Sequence, residues 1–289
     1  MGKMRVPAAW PERIRALARG ELQPVVPRRA ATVLLLKDDG HLPVVHMLRR
    51  RASMAFAAGA YAFPGGGVDP RDERPVRWAG PALEDWARAL GVGPAEAQAV
   101  VCAAVRETFE ESGVLLAGPD AGTVVADTTG EDWERDRTAL VAHDLAFADF
   151  LDRRGLVLRT DLLRAFGRWI TPEFEERRYD TWFFLAALPA GQRTRDVSGE
   201  ADRTAWLRLA DAVGGYDRGE LAMLPPTVSM LRDLLPYGSV AAALDGAAGR
   251  DLAPVIATAA VDAAGAVVLT WPGHDEFTFT LAAPGGEAQ

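Results

Sequence analysis

The sequence predicts an α/β protein in which helices flank a mixed β-sheet. Strand-like and helix-like segments alternate irregularly along the 289 residues, whereas a doubly wound parallel sheet needs regular alternation. The composition, 49% hydrophobic and 25% charged, is typical of a globular protein with a sizeable core. We find no internal repeat and no low-complexity tract. One large domain or two small ones would fit this chain.

The first third of the chain predicts a helix, a pair of strands and a glycine-rich turn. A short helix is expected over residues 11–19, and the run ATVLLL at 31–36 is typical of a strand. A turn leads to a returning strand, PVVHMLR, at 43–49. The segment AGAYAFPGGGVDP then predicts a short aromatic strand and a Gly/Pro-rich turn. Residues 73–93 are expected to form an excursion from the main fold.

A longer helix follows, and both of its ends carry signals. Pro94 begins it and Gly113 follows its last turn, the positions that proline and glycine favour at helix ends. The rest of the chain predicts two helices within 133–166, strands at 178–188 and 204–209, a helix from near Ala210, a helix at 225–235, and two strands in the tail, PVIATAAV and AVVLTW.

Charge and sorting signals limit the partners that we expect. A net charge of -8 disfavours a nucleic-acid partner, which binds through cationic side chains. No stretch of ~20 apolar residues could span a bilayer, and no secretory signal is evident, so we expect a cytoplasmic protein without a membrane partner. The single cysteine, Cys102, cannot form an internal disulfide and is expected to be a buried packing residue. The histidines show no zinc-ligand spacing.

Three glutamates lie within one turn of the helix that ends before Gly113. Glu107, Glu110 and Glu111 stand at i, i+3 and i+4, so their carboxylates share one helical face. Their repulsion would be relieved by Mg²⁺ or Mn²⁺, which prefer carboxylate oxygens. Acidic helix faces are more often simply solvated, so the glutamates alone do not establish a metal site. The opposite face is apolar and is expected to pack on the sheet: Val101, Val105 and Phe109.

The residues around these glutamates resemble the Nudix box. The run from Arg106 to Val114 follows the pattern REUXEEXGU, where U is a bulky aliphatic residue, except that Thr108 occupies the first U position. Upstream, Gly66 of the FPGG segment matches the glycine that begins the box. The ordinary box would place the arginine 14 residues after that glycine, at position 80, so 26 residues are inserted before Arg106.

The insertion puts the first box glutamate in doubt. Asp72 lies six residues after Gly66, where the family has this glutamate, and Gln98 lies eight residues before Arg106, where it would be counted backward. The carboxylate is therefore replaced or displaced, and the sequence leaves both positions open.

Together with the segments RRYDTWFFLAALP and ELAMLPPT, the insertion resembles the peroxisomal-type coenzyme A diphosphatase subfamily of Nudix hydrolases. This resemblance implies a Nudix α/β/α sandwich around a mixed sheet, with extra helices and a C-terminal β extension. It also implies an N-terminal lead-in at 1–28, a Nudix hydrolase domain at 29–237 with the box insertion at about 73–97, and an extension at 238–289 packed on the same domain.

The resemblance assigns roles to particular residues. Glu107, Glu110 and Glu111 would bind Mg²⁺ or Mn²⁺, with Glu111 as the central ligand. Arg106 would orient a glutamate through a charge-assisted hydrogen bond. Glu200, in the segment SGEADRTAWLRL, is a candidate catalytic base or further ligand, with a plain loop carboxylate as the alternative. The catalytic residues implied are therefore Glu107, Glu111, Arg106 and Glu200.

Other residues are candidates for contact with the substrate. Gly65 and Gly66 would let the backbone turn tightly beside the metal helix. Arg178 could meet substrate phosphates, with ordinary surface pairing as the alternative. For two further sets of residues the sequence leaves two possible roles open. Glu173, Glu175 and Glu176 are rivals of Glu200 or a surface charge cluster, and Trp182, Phe183, Phe184 and Trp206 are core residues or a base-stacking platform.

The resemblance implies a metal-dependent hydrolase that cleaves a diphosphate bond in a nucleoside diphosphate linked to another moiety. Coenzyme A or acyl-coenzyme A is the expected substrate; ADP-ribose, NADH or a nucleotide sugar are alternatives. A catalytically inactive Nudix module that binds a nucleotide metabolite is an alternative of another class. The expected partner is thus a small-molecule nucleotide diphosphate. A homodimer is compatible with the sequence, which leaves the oligomeric state open.

Overall fold

The computed structural model describes residues 9–40, 42–51, 58–197, 199, 201–263 and 266–281. The α-helices are α1 (Trp10–Ala18), α2 (Leu83–Leu90), α3 (Pro94–Ser112), α4 (Glu131–Val141), α5 (Phe147–Arg153), α6 (Leu209–Asp217), α7 (Pro225–Leu234) and α8 (Val240–Gly246). The strands are β1 (Arg28–Asp39), β2 (Leu42–Arg50), β3 (Tyr61–Ala62), β4 (Gly65–Gly67), β5 (Trp78–Ala79), β6 (Ala117–Gly118), β7 (Val157–Arg159), β8 (Arg164–Ile170), β9 (Tyr179–Ala187), β10 (Ala201–Arg208), β11 (Val255–Ile256), β12 (Thr258–Val261), β13 (Val267–Thr270) and β14 (Phe279–Leu281).

The main sheet is mixed, as predicted, and its strand order is β10-β2-β1-β9-β8-β11. Strand β2 pairs antiparallel with both β1 and β10, whereas β11 pairs parallel with β8. Strand β1 lies inside the sheet, and Val33 to Leu36 are fully buried. A continuous apolar run is what a strand covered on both faces requires, which explains the ATVLLL sequence.

Two short strands attach the glycine-rich turn to this sheet. Strand β3 pairs with β2, and β4 pairs with β1 so that Gly65 lies opposite Thr32 and Gly66 opposite Ala31. A Cβ atom on Gly65 would come within 2.5 Å of the Ala31 carbonyl oxygen, so a side chain cannot be accommodated there. The turn is therefore held against the middle of the sheet.

Helix α3 packs on the sheet face that carries Val33 and Leu35. It ends at Gly113, whose φ of 73° is left-handed and favours glycine. The helix is buried well beyond its apolar stripe, because Thr108 and Ser112 are also inaccessible to solvent. The sequence predicted that the glutamates lie on the helix face opposite the core. In the structure other parts of the chain also cover this acidic end of the helix.

The box insertion folds into the core. Its helix α2 buries Trp86 and Leu90 against the cluster formed by α3 and the sheet. The Trp86 indole N–H donates to the Thr160 hydroxyl at 3.3 Å, and the Trp182 indole N–H donates to the Leu90 carbonyl at 3.2 Å. The excursion predicted for residues 73–93 is therefore packed onto the domain.

The stretch that follows α5 differs from the predicted secondary structure. The two helices expected within 133–166 are present as α4 and α5, but the residues after them form β7 and the first part of β8. The strand RAFGRWI carries two arginines and an internal glycine, so its apolar pattern is weak. Its extended conformation comes from pairing with neighbouring strands, an interaction that local periodicity does not report.

The chain divides into two compact units. Among the described residues, the first comprises 30–167 and 182–252, and the second comprises 9–29, 168–181 and 253–281 with their gaps. The second contains α1 and the three-stranded sheet β12-β13-β14. The boundaries at 28/29 and 237/238 stay predictions. Across the described ranges, no helix combines the length and apolar character needed to cross a membrane.

Candidate active site

Arg106 occupies the centre of an acidic cluster near the end of α3. Its side chain is only 6% exposed. The Nε and Nη2 atoms donate to the Asp72 carboxylate at 3.0–3.3 Å. The Nη1 atom donates to Glu107 at 2.8 Å and to Glu110 at 3.2 Å, while Nη2 also donates to the Gly67 carbonyl at 2.8 Å. One buried guanidinium therefore holds three carboxylates and one backbone carbonyl.

Asp72 is oriented toward this arginine by the turn that contains it. It belongs to a short 3₁₀ helix, Pro70–Glu73, in which the Asp69 backbone N–H donates to the Asp72 carboxylate at 2.9 Å. The Asp69 carboxylate in turn accepts from the Arg71 backbone N–H at 2.8 Å. The Asp69 side chain also accepts from the Asp72 backbone, which completes a capping box and fixes an Asp72 side chain that is 1% exposed.

Gln98 is the other position that the sequence left open for the first box glutamate, and its contacts differ from those of Asp72. Its Nε2 atom donates to the Glu73 carbonyl at 3.0 Å and to the Arg74 carbonyl at 2.8 Å. Gln98 thus ties the start of the insertion to α3. Of the two positions considered for the first box glutamate, it is Asp72 that carries a carboxylate and hydrogen-bonds Arg106.

The glycine turn lies directly against two of the glutamates. The Gly65 backbone N–H donates to the Glu111 carboxylate at 2.9 Å. A Cβ atom on Gly66 would lie 2.5–2.7 Å from the carboxylate atoms of Glu107. The absence of a side chain at Gly66 is therefore what lets the backbone approach Glu107 so closely. The structure brings together the predicted residues Gly65, Gly66, Glu107 and Glu111.

The cluster holds more negative charge than Arg106 can neutralise. Burial raises the pKa of Glu107 to about 7 in spite of the adjacent guanidinium. Burial also raises the pKa of Glu110 and of Asp72 above their usual range. Burial disfavours the charged form of Arg106, but the nearby carboxylates outweigh this effect and raise its pKa. Such buried carboxylates are ready to accept additional positive charge.

Two further arginines, which sequence reasoning missed, support the end of α3. Arg137 of α4 is buried and donates to the Glu110 backbone carbonyl at 2.7 Å. The Arg195 backbone N–H donates to the Ser112 carbonyl at 2.9 Å. Both arginines also donate to Glu134. Their local sequences resemble ordinary surface positions, so no local signal distinguished them.

The remaining predicted residues lie elsewhere. Glu200 is outside the described residues. Arg178 lies in the second unit, where it is buried and donates to the Thr171 and Val25 carbonyls at 3.0 and 2.8 Å. These bonds give it a structural task, which corrects the expectation of a surface arginine available to phosphates. In the same unit Glu176 pairs with Arg13, and Glu175 is close to Trp10.

Cys102 is buried in α3, as predicted. Desolvation raises the pKa of its thiol, so the reactive thiolate is disfavoured.

The donor chemistry of the cluster fits a hard divalent cation. Glu107, Glu110 and Glu111 offer oxygen ligands, which Mg²⁺ and Mn²⁺ prefer, and burial raises the pKa of Glu107 and of Glu110. Within the described ranges, no three Asp, Glu, His or Cys side chains form a ready-made metal-binding group. Arg106 and the Gly65 N–H hold the carboxylate oxygens, so a cation would compete with these donors.

Comparisons with known proteins agree with this arrangement. The NUDT19 Nudix domain family matches residues 83–234, more than half of the chain. Acyl-coenzyme A diphosphatase NUDT19 of Xenopus laevis is 24% identical over 231 residues, 68% of this chain. Putative nudix hydrolase 7 of Caenorhabditis elegans is 27% identical over 212 residues, 72% of this chain. Both alignments span 60% of the relative's own length.

A solved structure supports the same assignment. A NUDIX hydrolase from Alicyclobacillus acidocaldarius superposes with a TM-score of 0.65 at 28% sequence identity, over 76% of this chain and 96% of that chain. The chain therefore belongs to the Nudix family, in the group that carries the NUDT19 Nudix domain. The predicted fold, a Nudix sandwich around a mixed sheet, is confirmed.

Proposed function

We propose that this protein is a metal-dependent hydrolase that cleaves a diphosphate bond in a nucleoside diphosphate linked to another moiety. The observation that carries the proposal is the network in which Arg106 holds Asp72, Glu107 and Glu110 beside the glycine turn. A divalent cation held by Glu107, Glu110 and Glu111 would offset charge on the diphosphate oxygens and activate a water molecule.

The residues of the chain prepare this chemistry in separate ways. Arg106 orients Glu107 and Glu110, and Asp72 keeps the guanidinium in place. The Gly65 N–H fixes one oxygen of Glu111. Burial raises the pKa of Glu107 to about 7 in the absence of metal, so a cation bound by this carboxylate would displace a proton from it near neutral pH. We retain Glu200 as a proposed base or further ligand on the strength of the family resemblance alone.

Coenzyme A or an acyl-coenzyme A is the substrate that we propose first. The support is the name of the Xenopus relative, which describes that protein as an acyl-coenzyme A diphosphatase, and the insertion inside the box. The expected products are 3′,5′-ADP and a 4′-phosphopantetheine compound. ADP-ribose, NADH and nucleotide sugars contain the same diphosphate linkage and are therefore the competitors to test.

A turnover screen tests both levels of the proposal. Coenzyme A, acetyl-coenzyme A, ADP-ribose, NADH and a nucleotide sugar are incubated separately with the protein and Mg²⁺ or Mn²⁺, and the products are identified by mass. We expect coenzyme A compounds to give the highest kcat/KM, and saturating EDTA to abolish turnover. If a rival exceeds coenzyme A by about tenfold, which corresponds to roughly 1.4 kcal/mol, the substrate assignment is wrong and the hydrolase proposal stands.

The same screen separates an enzyme from a binding module. Turnover that survives complete chelation contradicts the metal dependence. Binding of a nucleotide by calorimetry without hydrolysis of any substrate, under either metal, favours the catalytically inactive alternative.

A further inference from the structure

Trp206 differs from the other aromatic residues that the sequence left between core packing and base stacking. Trp182 and Phe184 are fully buried and Phe183 is 6% exposed, whereas Trp206 retains part of its surface in solvent. The described structure thus assigns the first three to the core. A ring that is partly packed and partly exposed is the arrangement that stacking on a ligand requires.

Two polar side chains surround the Trp206 ring. The Lys37 ammonium lies 4.4 Å from the ring centroid, and the His46 ring centroid lies 5.3 Å away. The indole N–H donates to the Thr194 hydroxyl at 3.0 Å, which fixes the ring orientation. Within the described residues no ion pair engages Lys37, in contrast to Arg208 nearby, which approaches Asp39 at 4.0 Å. The cation is therefore available for an anionic group.

His46 supplies a second, independent observation. It is 1% exposed, and among the described residues its Nδ1 atom has no hydrogen-bond partner. Burial and the nearby Lys37 lower the pKa of His46 to about 4, so the imidazole is neutral at physiological pH. An unpartnered buried nitrogen costs free energy, and a polar group of a ligand that reached it would recover that cost.

This cluster shares a sheet face with the acidic end of α3. Trp206 lies opposite His46 in the β10–β2 register. In the β1–β2 register Leu36 lies opposite Val45, so continuing the register by one residue brings Leu35 opposite His46. Residues directly opposite each other in neighbouring strands project to the same face. Leu35 belongs to the core under α3, and Trp206 packs against the same core.

A single ligand could span the distance between the glycine turn and the cluster of Lys37, His46 and Trp206. Gly66 lies opposite Ala31, four residues before Leu35 on β1, which is roughly 13 Å along the strand. Two strand spacings, about 10 Å, separate β1 from β10. The glycine turn and Trp206 are thus on the order of 15 Å apart. A nucleoside diphosphate with its diphosphate at the turn could place its base or sugar near Trp206.

We propose that Lys37, His46 and Trp206 bind the nucleoside end of the substrate, and that they select a purine nucleoside carrying a phosphate on its sugar. The base stacks on Trp206 and offers a polar edge to His46. Lys37 leaves the ring face and pairs with the sugar phosphate. This inference rests on the proposed function. Coenzyme A carries a 3′-phosphate of this kind, whereas ADP-ribose and NADH do not, so the cluster would favour coenzyme A among the competing substrates.

The test measures binding without catalysis. Isothermal titration calorimetry in EDTA compares 3′,5′-ADP with 5′-ADP on the wild-type protein and on Lys37→Met, Trp206→Leu and Arg208→Met. Arg208 is the matched control, because it faces Val44 in the same register row as Lys37 and also loses one positive charge. The melting temperature of each variant shows whether it is folded, and Trp206→Phe retains a ring if the leucine variant is unstable.

We expect wild type to bind 3′,5′-ADP more tightly than 5′-ADP. Lys37→Met should weaken binding of 3′,5′-ADP by about tenfold, the scale of one charge-assisted contact, and leave 5′-ADP nearly unchanged. Trp206→Leu should weaken both ligands, Trp206→Phe should weaken them less because a ring remains, and Arg208→Met should have little effect. Equal losses for both ligands in Lys37→Met, an equal loss in Arg208→Met, or no preference in wild type would overturn the proposal.

The experiments test the proposed hydrolase activity separately from the proposed nucleoside site. If coenzyme A is hydrolysed and Lys37→Met does not change the preference between the two nucleotides, the nucleoside site is wrong and the hydrolase is right. If no substrate is hydrolysed but the variants change binding as expected, the nucleoside site stands without the enzyme.

Discussion

Arg106 and Arg168 lie in different units of the chain, and they differ in how many carboxylates accept hydrogen bonds from them. Arg168 donates through Nε and Nη2 to the carboxylate of Asp180, at 2.8 and 2.6 Å. Arg106 donates to three carboxylates at once, those of Asp72, Glu107 and Glu110. Arg168 and Asp180 thus form an ion pair of opposite charges, whereas three carboxylates surround the one positive charge of Arg106.

The difference distinguishes a structural pair from a site. In a partly buried pair such as Arg168 and Asp180, two parallel hydrogen bonds join opposite charges, and their attraction can offset the cost of desolvation. Burial raises the pKa of Glu107 and of Glu110, with a smaller contribution from the neighbouring carboxylates, and a bound cation would favour their charged forms. The number of carboxylates that accept from each arginine therefore distinguishes the candidate active site from the ion pair of the second unit.

The largest effect should come from removing each arginine. We expect Arg106→Met to lower the free energy of unfolding by about 3–5 kcal/mol, because three buried carboxylates lose their counter-charge. Arg168→Met should cost less, since it leaves one carboxylate, which a single proton can neutralise. Urea denaturation with and without Mg²⁺ checks this. Mg²⁺ should restore part of the loss in Arg106→Met only, and equal costs with equal responses to Mg²⁺ would remove the distinction.

Glu111→Gln should lower kcat by at least about a hundredfold while the protein stays folded. The amide oxygen of glutamine can still accept from the Gly65 N–H, so the turn keeps its contact, but the negative charge is lost. Steady-state kinetics on coenzyme A with Mg²⁺ gives the comparison. Glu96→Gln, the same change in the first turn of α3, is the control and should keep nearly the wild-type rate. A near wild-type rate in Glu111→Gln would take this residue out of the site.

The third effect is the dependence of stability on pH. Because burial raises the pKa of Glu107 from 4.5 to about 7, the folded metal-free protein binds more protons than the unfolded chain in that interval. Its contribution to stability is therefore present at low pH and is lost as the pH rises toward about 7. A bound cation needs the deprotonated carboxylate, so Mg²⁺ should raise the melting temperature more at high pH than at low pH.

Calorimetric melting at about pH 5 and about pH 8, with Mg²⁺ or with EDTA, measures this difference. Glu107→Gln provides the control, since an amide does not titrate and should reduce the pH dependence. A shift by Mg²⁺ that is the same at both pH values in the wild type contradicts a titrating ligand.

The smallest effect concerns Gln98. Gln98→Glu restores a carboxylate where the box glutamate would be counted backward, but a carboxylate cannot donate to the Glu73 and Arg74 carbonyls. We expect a loss of stability of about 1–3 kcal/mol and no gain in kcat, because Asp72 already pairs with Arg106. Thermal melting and kcat on coenzyme A are the measurements. A rise in kcat would mean that position 98 can supply the missing glutamate.

Local sequence patterns predicted helix α3, which carries the candidate site, better than they predicted strand β8. Pro94 and Gly113 mark the limits of α3 because each acts through its own backbone geometry. The spacing of the three glutamates was likewise readable, since helical periodicity is a local property. Strand β8 was missed because its own apolar pattern is weak and its extended conformation depends on its neighbours in the sheet, β9 and β11.

The composition, the periodicity and the box residues were sufficient to predict a mixed α/β fold and a carboxylate cluster on α3, because they depend on side chains a few positions apart. The partners of those carboxylates were decided by tertiary structure. Asp72 lies 34 residues from Arg106, and only the fold of the intervening insertion brings the two together. Arg178 shows the converse, since its sequence suited a phosphate contact and its burial against two backbone carbonyls excludes that task. Burial and distance between remote residues are properties of the folded chain, and no local pattern encodes them.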